Sequence, residues 1–572
     1  MKVKVKQSGA EVTLDKRYFI AKGGEGEIYA KNGVVYKICD AGKMIPEAKI
    51  AELAVLTDPH IIRPEEVLLD TSGQPVGYTS KFVDNCYVLC QLFTKAFRLR
   101  NNVGPDTVFK LVQQMRDTIK FVHSKGILIV DLNELNFLVD DQFKDVFFID
   151  VNSYQTRTHP ATAIMDSIRD RQMKSRSDIN QGTDWFSFAI VSFQMQVGIH
   201  PFKGKHPSYT DPKTALDERM KANLPIIDPS VSYPQAACQP LTVVPDPWMQ
   251  WYKAVFQDGK RVAPPGVGVI STVGVVIPVK VVTGSQVFDM NKIKEFGSPV
   301  SIYYYHDGKE VAICDGGNVL VIDGRVYGTD PKIKNFAFTK SNHPVACWLE
   351  GGLTHLADPI NHKAIPFTCA ATNIMDYDGR VYVQNGMNII EVIFTEMSGN
   401  ILASPHVVGT CMERNAVFYD GCVIQNLFDA HYVSVFPVTK QCRQFALREL
   451  DGYRIVDAKY EGGVLMVVGV DRQGKYDRFV FRLAKDFSGY DVRKLSDILH
   501  AGLNFTVLPN GVCVSMTEDE SIEVFKAEKD AGGVKQYKDP SIKGDMELSH
   551  QGQQTIFTRG KEVYTISVRK SP

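Results

Sequence analysis

The spacing of hydrophobic residues divides the chain into two parts of different character. In the first part, residues 108–123 place apolar side chains at the i, i+3, i+4 and i+7 spacing of an amphipathic helix. Residues 185–197 are apolar nearly throughout, which predicts a buried helix. Short strand-like runs occur between these helices. The pattern therefore predicts an α+β region that extends to about residue 265.

After the cluster Pro264-Pro265-Gly266, helical spacing nearly disappears, and short runs of Val, Ile, Tyr and Phe alternate with turn dipeptides. The turns are Asp307-Gly308, Gly351-Gly352, Asp378-Gly379, Arg414-Asn415, Gly462-Gly463, Asn510-Gly511 and Gln551-Gly552. They recur at intervals of 27–48 residues, and a β-propeller blade takes about 40–50 residues. This pattern predicts an all-β propeller of six or seven blades over residues 281–572, joined to the first part by a linker at 266–280.

Composition and charge narrow the class of protein. The chain has 572 residues, of which 44% are hydrophobic and 23% charged, as in ordinary globular proteins of several domains. Its 65 basic and 65 acidic residues give a formal net charge of zero, so there is no clear nucleic-acid signal. The 11 cysteines form no Cys-x-x-Cys pair, which argues against both a disulfide framework and a zinc site.

Neither end of the first part predicts a membrane-associated or secreted protein. Residues 1–9 alternate Lys with Val and contain no apolar signal-peptide core. The longest apolar stretch, residues 262–282, is interrupted by Pro264, Pro265 and Pro278 and ends in a strand-like pattern. The sequence therefore predicts a cytoplasmic protein without a membrane partner.

A glycine-containing turn is the first candidate functional element. Gly23, Gly24 and Gly26 lie between two strand-like runs, and Lys37 lies on the strand that follows. Glycines let the backbone approach a phosphate closely, and a lysine on the next strand can reach the same phosphate. On its own, this pattern is also that of an ordinary hairpin with a surface lysine.

Three further motifs place acidic or amide side chains next to apolar runs that predict strands or helices. Asp131 and Asn136 are five residues apart in a segment framed by apolar residues, and can hold a base and a metal ligand on one loop. Asp150 ends the apolar run 146–149, where a carboxylate needs a partner such as Mg²⁺. Asp184 precedes the buried helix, where we expect it to act as a cap and dipole partner.

Taken in order, these motifs resemble those of a protein-kinase-like domain over residues 18–265, nearly half of the chain. The sequence Asp150-Val151-Asn152-Ser153 is similar to that of divergent bacterial and phage kinase-like proteins, in which Asp-x-Asn/Asp-Ser replaces Asp-Phe-Gly. The resemblance implies a bilobal domain over residues 1–265, with an N-lobe of about 1–83 and a C-lobe of about 84–265. The expected fold class is multidomain: an α+β kinase-like domain followed by the propeller.

The resemblance also implies ATP and Mg²⁺ as cofactors and assigns catalytic and metal-binding roles. Asp131 would orient and deprotonate the acceptor hydroxyl. Asn136 and Asp150 would hold Mg²⁺. Lys37 would contact the α- and β-phosphates and be oriented by Glu47 on the helical stretch 45–56, with Glu52 as a rival.

Further positions implied by the resemblance bind nucleotide or support the loops. The backbone around Gly23, Gly24 and Gly26 would cover the phosphates, and the hinge residues Lys81 and Val83 would face the adenine. Two structural positions follow. Asp184 would begin the helix that supports the catalytic loop, and Arg261 would occupy the place of a late structural arginine.

Several departures from the family pattern bear on activity. Ile129 and Val130 replace the His-Arg pair before Asp131, which removes the usual receptor of an activation-loop phosphate. Asn133 stands where kinases usually have a Lys or Arg that contacts the transferred phosphoryl group, so one positive charge is missing. No Ala-Pro-Glu-like ending is visible between Asp150 and Asp184, which leaves the acceptor class open.

Three functional interpretations follow from the sequence. The first is Mg·ATP-dependent phosphoryl transfer by a Ser/Thr protein kinase whose propeller binds a protein substrate or partner. The second is a nucleotide-binding pseudokinase scaffold, for example in a phage particle; a phage-encoded chain would lie in the host cytoplasm or in the particle. The third is a kinase that acts on a small molecule.

Overall fold

The computed structural model describes residues 1–161, 163–265, 287–328, 330–427, 430–487, 489–529 and 533–569. Contacts divide the chain into two units. The first consists of Met1–Arg98, Val103–Ile277 and Val470–Tyr476, and the second of Leu99–Asn102, Pro278–Gly469 and Asp477–Pro572. The expected linker 266–280 lies outside the described residues. Among the described residues, no helix combines the length and apolar character needed to cross a membrane.

The first unit begins with strands and continues mainly with helices. Its strands are β1 Lys2–Val5, β2 Glu11–Thr13, β3 Phe19–Gly23, β4 Gly26–Lys31, β5 Val34–Cys39, β6 Val67–Leu69, β7 Pro75–Lys81, β8 Cys86–Val88, β9 Phe137–Asp140 and β10 Val146–Phe148. Its helices are α1 Glu47–Leu53, α2 Lys95–Asn101, α3 Pro105–Ser124, α4 Gln181–Val197, α5 Ala215–Lys221 and α6 Asp246–Phe256; the last residues of α2 group with the second unit.

Seven of these strands form one antiparallel sheet in the order β2-β1-β6-β7-β5-β4-β3. Within it, Lys37 of β5 lies opposite Ile28 of β4 on one side and Tyr78 of β7 on the other. Lys37 is therefore on a central strand, next to the hairpin that carries the glycines. A second, small sheet has the order β10-β9-β8. In sequence, Asp131 lies shortly before β9, and Asp150 lies just after β10.

The two predicted helices are present and are slightly longer than predicted. Helix α3 starts at Pro105, which suits the first turn because proline lacks the N–H that would be unpaired there. Helix α4 starts after Asn180, whose side chain accepts a hydrogen bond from the Gly182 N–H, and ends at Gly198, which has φ 88°. Nearly all of α4 is buried, so it forms the centre of the helical core.

The second unit is all-β, as the sequence predicted. Its strands are β11 Phe288–Glu295, β12 Val300–His306, β13 Lys309–Cys314, β14 Val319–Ile322, β15 Arg325–Gly328, β16 Asn335–Phe338, β17 Pro344–Glu350, β18 Leu353–Asp358, β19 Lys363–Ala364, β20 Asn373–Tyr377, β21 Arg380–Asn385, β22 Asn388–Met397, β23 Asn400–Thr410, β24 Ala416–Tyr419, β25 Cys422–Leu427, β26 Ala430–Val435, β27 Arg443–Ala446, β28 Arg454–Glu461, β29 Val464–Val470, β30 Tyr476–Leu483, β31 Tyr490–Leu495, β32 Phe505–Val507, β33 Val512–Met516, β34 Ser521–Lys526, β35 Lys535–Lys538, β36 Glu547–Gln551, β37 Gln554–Arg559 and β38 Glu562–Val568.

In the described residues these strands form seven four-stranded sheets. Six sheets each contain four consecutive strands. The seventh has the order β11-β38-β37-β36, so it pairs the first strand of the unit with the last three. At two of the predicted turns both residues have positive φ: Asp307 and Gly308 at 41° and 84°, and Asp378 and Gly379 at 50° and 71°. A two-residue type I′ hairpin requires positive φ at both of its central residues.

Candidate functional site

Lys37 lies at the centre of a group of polar side chains in the first unit. Its Nζ atom is 3.0 Å from Oδ1 of Asp150, 3.1 Å from Oε2 of Glu25 and 3.2 Å from Oδ1 of Asn152. The Lys37 side chain is only 12% exposed. The structure thus brings together two residues that the sequence pattern had assigned to one site, Lys37 and Asp150, across 113 positions of the chain.

The charge of Lys37 is maintained by its neighbours. Burial acts to lower the pKa of Lys37, but the charges of Asp150 and Glu25 and the adjacent Tyr78 hydroxyl outweigh it, so the net pKa is raised above the ordinary value. Lys37 therefore remains a cation over the whole physiological pH range.

The glycine-containing segment forms a tight turn. Gly23 pairs with Gly26 across the β3–β4 hairpin, which leaves Gly24 and Glu25 as the two turn residues. A Cβ atom on Gly26 would lie 2.0 Å from the carbonyl oxygen of Ile38, so only glycine permits this approach of the turn to β5. The turn places the Glu25 carboxylate on Lys37, and the Asn152 side-chain amide donates a hydrogen bond of 2.9 Å to the same carboxylate.

Helix α1 does not bring Glu47 to Lys37, contrary to the expected pair. Glu47 is the first residue of α1 and is half exposed, and its carboxylate lies 2.6 Å from Nζ of Lys6. The rival Glu52 accepts hydrogen bonds from the Thr158 hydroxyl and pairs with His159. Because neither glutamate of α1 reaches Lys37, the carboxylate partner from outside the Asp150 segment is Glu25 of the glycine turn.

The buried residue of α1 near this site is a lysine. Lys49 is 2% exposed. Burial lowers the pKa of Lys49, while the charges of Glu25, Glu52 and Asp150 act in the opposite direction. Helix α1 thus contributes a second buried amine to the surroundings of Asp150, a feature that the sequence analysis did not identify.

Asp131 and Asn136 lie on one loop, as expected. Asn136 donates a hydrogen bond of 2.8 Å from Nδ2 to the backbone carbonyl of Asp131, and Oδ1 of Asp131 accepts one of 2.8 Å from the Met165 N–H. Burial and the charge of Asp150 raise the pKa of Asp131, while the Met165 N–H bond and the Asn133 and Asn136 side chains act in the opposite direction. A carboxyl group with a raised pKa is better suited to accept a proton than an ordinary surface aspartate.

The Asp184 carboxylate holds the backbone that leads into the Asp131 loop. Its Oδ2 accepts hydrogen bonds of 2.9 Å from the Ile129 N–H and from Nε2 of His123, and its Oδ1 accepts one of 2.9 Å from the Val130 N–H. Val130 has φ 67°, a left-handed conformation that is unfavourable for a β-branched residue. The helix cap is Asn180, so the expectation that Asp184 acts as the cap is wrong; its carboxylate instead fixes the backbone before Asp131.

Asn136 and Asp150 carry side-chain oxygen atoms of the kind that Mg²⁺ prefers as ligands. Asp150 adopts φ 57° and ψ 31°, and Nδ2 of Asn136 is used for the Asp131 carbonyl, which leaves its Oδ1 for a ligand. The described residues contain no group of three or more His, Cys, Asp or Glu side chains placed to hold a metal ion. A pair of oxygen ligands fits Mg²⁺ bound together with substrate phosphates and water, which is how proteins commonly hold this ion.

Asn133 does not replace the missing lysine. It is 2% exposed, and its Oδ1 accepts a hydrogen bond of 2.9 Å from the Leu135 N–H, so it caps the short 3₁₀ turn at Glu134–Asn136. The side chain is therefore occupied in shaping the loop. Residues 131–136 of this loop include no Lys or Arg, so no other residue of the loop supplies the missing charge.

Arg261 is a structural residue, as expected, and its partner is Asp170. Nε and Nη2 of Arg261 lie 2.6 and 2.7 Å from the two carboxylate oxygens of Asp170, which is 2% exposed. The guanidinium also lies over the Phe186 ring at 4.2 Å from its centroid. Asp170 thus lies within the segment between Asp150 and Asp184, in which the sequence shows no Ala-Pro-Glu motif.

The residues expected to form the hinge, Lys81 and Val83, lie next to the turn between β4 and β5. Lys81 ends β7 and is exposed, and the N–H of Phe82 donates a hydrogen bond of 3.1 Å to the Gly33 carbonyl. Val83 is half-buried, and within the described part of the chain its backbone N–H has no acceptor. A free backbone donor at this position suits the edge of an adenine ring.

Comparison with known proteins supports a kinase-like region. Over 92 residues the chain is 28% identical to a "cAMP-dependent protein kinase, catalytic subunit-like" protein of Caenorhabditis elegans, and over 89 residues it is 28% identical to one of Caenorhabditis briggsae. These matches cover 16% and 15% of this chain, and the chain spans only 23% of the length of each relative. No protein-family model matches the chain.

Among solved structures, the kinase PK-1 of Cydia pomonella granulovirus is similar at 15% identity and a TM-score of 0.27, over 35% of this chain and 75% of the viral one. The sequence matches, together with the ordered residues of the site, support an N-terminal kinase-like region. The all-β region of many small sheets follows it in the chain.

Two members of the site escaped the sequence analysis. Glu25 lies between Gly24 and Gly26 in the predicted turn, and hairpin geometry alone places this position close to Lys37 on the next strand. Asn152 was named only as part of the sequence that replaces Asp-Phe-Gly, without a role of its own. Its bonding to both Glu25 and Lys37 depends on contacts between distant segments, and no local pattern indicates them.

Proposed function

We propose that the first unit is a Mg·ATP-dependent phosphotransferase that acts on a Ser or Thr hydroxyl of a protein. The observation that carries this proposal is the Lys37–Asp150 ion pair at 3.0 Å, because it joins the phosphate-binding cation to the metal-binding carboxylate. The fixed geometry of the loop from Asp131 to Asn136 supports it further.

The chain's own residues would act mainly by placing charge. Lys37 binds the α- and β-phosphates, and the backbone of Gly23, Gly24 and Gly26 covers them. The adenine lies against the hinge, where the N–H of Val83 donates a hydrogen bond and Lys81 lies nearby. The carboxylate of Asp131 accepts a hydrogen bond from the acceptor hydroxyl and orients its oxygen toward the γ-phosphorus.

In the transfer step, the acceptor oxygen forms a bond to the γ-phosphorus while the bond from that phosphorus to the β,γ-bridging oxygen breaks. ADP leaves with the bonding electron pair, and the hydroxyl proton passes to Asp131. Mg²⁺ bound by Asp150 and Asn136 would neutralise charge on the phosphates when it is present.

We propose that the second unit is a seven-bladed β-propeller that binds the protein substrate or a partner. The support is the pairing of β11 with β38, since a sheet that joins the first strand to the last three closes a ring of blades. The propeller fold by itself implies no chemistry, so we assign it binding alone.

A second candidate function is a nucleotide-binding scaffold without transfer activity. The burial of Asn133 in the loop favours it, because the site then lacks one cation that stabilises the transferred group. In that case nucleotide would bind and no phosphate would be transferred.

The test is transfer of labelled phosphate from ATP with Mg²⁺ to a casein-like acceptor by the full chain. We expect Asp150→Ala to abolish transfer and Asp141→Ala, which removes an exposed carboxylate of the same region, to retain it. Nucleotide binding without any transfer would favour the scaffold. Transfer to a small molecule but to no protein would overturn the assignment of the acceptor.

A further inference from the structure

The segment Val470–Tyr476 groups with the first unit although it is far from the rest of that unit in sequence. Its centre is a tight turn. The Asp471 N–H donates to the Lys475 carbonyl, and Oδ1 of Asp471 accepts hydrogen bonds of 2.8 and 2.9 Å from the N–H groups of Gln473 and Lys475. The turn is therefore held in one shape by its own hydrogen bonds.

Tyr476 attaches this segment to the loop that carries Asp131. Its hydroxyl donates a hydrogen bond of 2.6 Å to Oε1 of Glu134, and both side chains are buried. Burial raises the pKa of Glu134, an effect that the Tyr476 hydroxyl opposes. Nζ of Lys203 lies 5.7 Å from the centroid of the Tyr476 ring, which adds a cation to the same contact.

Gly474 brings the turn against the residues that hold Asp131. A Cβ atom at Gly474 would lie 2.4 Å from Oγ of Ser167 and 2.6 Å from Sδ of Met165, and Gly474 has φ 77°. Met165 is the residue whose N–H donates to Asp131. A glycine is therefore required at this position for two reasons, its conformation and the close approach of its neighbours.

In the turn held by Gly474 and Tyr476, Arg472 lies next to the glycine turn. One terminal guanidinium nitrogen lies 3.7 Å, and Cζ 3.9 Å, from the position of a Cβ atom on Gly24. Within the described residues, the Arg472 guanidinium has no hydrogen-bond or ion-pair partner. An arginine without a carboxylate partner, next to a backbone turn suited to phosphate, has the chemistry of a phosphate-binding residue.

We propose that Arg472 is a catalytic residue that binds the β- and γ-phosphates of ATP beneath the glycine turn. It supplies the positive charge that Asn133 does not, because Asn133 is buried as the cap of a 3₁₀ turn. This inference rests on the proposed nucleotide-dependent function and adds to it a residue more than 300 positions from the rest of the site. Its geometry depends on the Tyr476–Glu134 hydrogen bond and on Gly474.

The test compares Arg472→Ala with Lys475→Ala in the full chain. Lys475 belongs to the same turn, is exposed, and carries the same charge, so its substitution controls for net charge and for the turn. The measurement is equilibrium binding of a non-hydrolysable ATP analogue and of AMP by calorimetry, with Mg²⁺ present, followed by phosphate transfer.

We expect Arg472→Ala to weaken binding of the ATP analogue about tenfold, to leave AMP binding unchanged and to lower transfer, and we expect Lys475→Ala to behave as the wild type. Equal loss of ATP and AMP affinity, or unchanged affinity for both, would overturn the assignment of Arg472 and leave the proposed function intact. A gain of affinity or transfer would also overturn it, because the turn would then block the site. A wild-type chain that binds neither nucleotide would overturn the proposed function and this assignment with it.

Discussion

Oδ1 of Asp184 lies 2.9 Å from the backbone N of Val130, the residue directly before Asp131. The hydrogen bond ties the first turn of the most buried helix of the first unit to a residue in a left-handed conformation. Backbone strain of this kind costs of the order of 1–3 kcal/mol and persists where the surroundings enforce it. Asp184 thus links the stability of the core to the position of Asp131.

Substitution of Asp184 should lower both stability and activity. Asp184→Ala leaves the N–H groups of Ile129 and Val130 and the ring of His123 without their buried acceptor. We expect a loss of about 3–5 kcal/mol in the free energy of unfolding of the first unit. We also expect phosphate transfer to be at least about tenfold slower at temperatures below the unfolding transition, because the backbone before Asp131 is released. Thermal unfolding and kcat measure the two effects.

The matched control is Asp141→Ala, which removes an exposed carboxylate and should leave both quantities unchanged. Asp184→Asn keeps one acceptor oxygen and should give an intermediate loss. An Asp184→Ala chain as stable as the wild type would contradict the role of this residue.

The pH dependence of activity should report on Asp131. Because burial raises the pKa of Asp131, its carboxyl group loses its proton at a higher pH than an ordinary aspartate. Transfer needs the carboxylate, so kcat/KM should fall as the pH falls through this raised pKa, and Asp131→Asn should lose about 10²–10⁴-fold of the activity. Initial rates over a pH series check this. An acid limb at the ordinary aspartate pKa of about 3.9 would contradict it.

The raised pKa of Asp131 has opposite effects on activity and stability: acid lowers the activity but favours the folded state. The folded protein binds the Asp131 proton more tightly than the unfolded chain, so this group favours folding below its unfolded pKa, and the contribution is lost as the pH rises through the folded pKa. At neutral pH, Asp131→Asn should therefore be more stable than the wild type, and the difference should disappear in acid. Urea unfolding at both pH values measures it; a difference independent of pH would rule out burial of the charge as its cause.

Glu25, and not Glu47, should position Lys37. Oε2 of Glu25 lies 3.1 Å from Nζ of Lys37, whereas Glu47 pairs with the exposed Lys6. We expect Glu25→Ala to lower kcat/KM for ATP about tenfold, as for loss of one charge-assisted hydrogen bond, and Glu47→Ala to leave it within about twofold. Glu25→Gln keeps an oxygen for the hydrogen bonds and should recover part of the loss. A larger effect at Glu47 than at Glu25 would restore the pair expected from the sequence.

The sequence predicted those parts of the fold and site that depend on local pattern. Helix α4 follows from a continuous apolar run, and Asp131 and Asn136 share a loop because they are only five positions apart. Glu47 was misassigned because helical spacing places a residue on a helix but does not define which distant lysine the helix faces. Asn133 was recognised as a missing charge, but its role as a cap depends on the local path of the loop, which the residue type alone does not determine.

In the second unit, too, local sequence patterns predict the strands but not which distant strands pair. Turn dipeptides predicted short strands and an approximate number of blades, but no local signal shows that β11 pairs with β38, since this pairing joins residues 267 to 280 positions apart. Within the described residues, the number of four-stranded sheets is seven rather than six only because the first strand is counted with the last three.

Pairing of β11 with β38 should be essential to the second unit. Ile566 of β38 lies opposite Met290 of β11, is 6% exposed and packs in the same cluster as Phe288. Ile566→Asp would bury an unpaired carboxylate, which costs several kcal/mol, so we expect the second unit to unfold at a lower temperature and β38 to become susceptible to protease. Ser567→Asp adds the same charge to the adjacent, exposed position on the other face of the strand and should have little effect. If the two substitutions were equally mild, closure of the unit by this strand pair would be contradicted, and with it the proposed propeller.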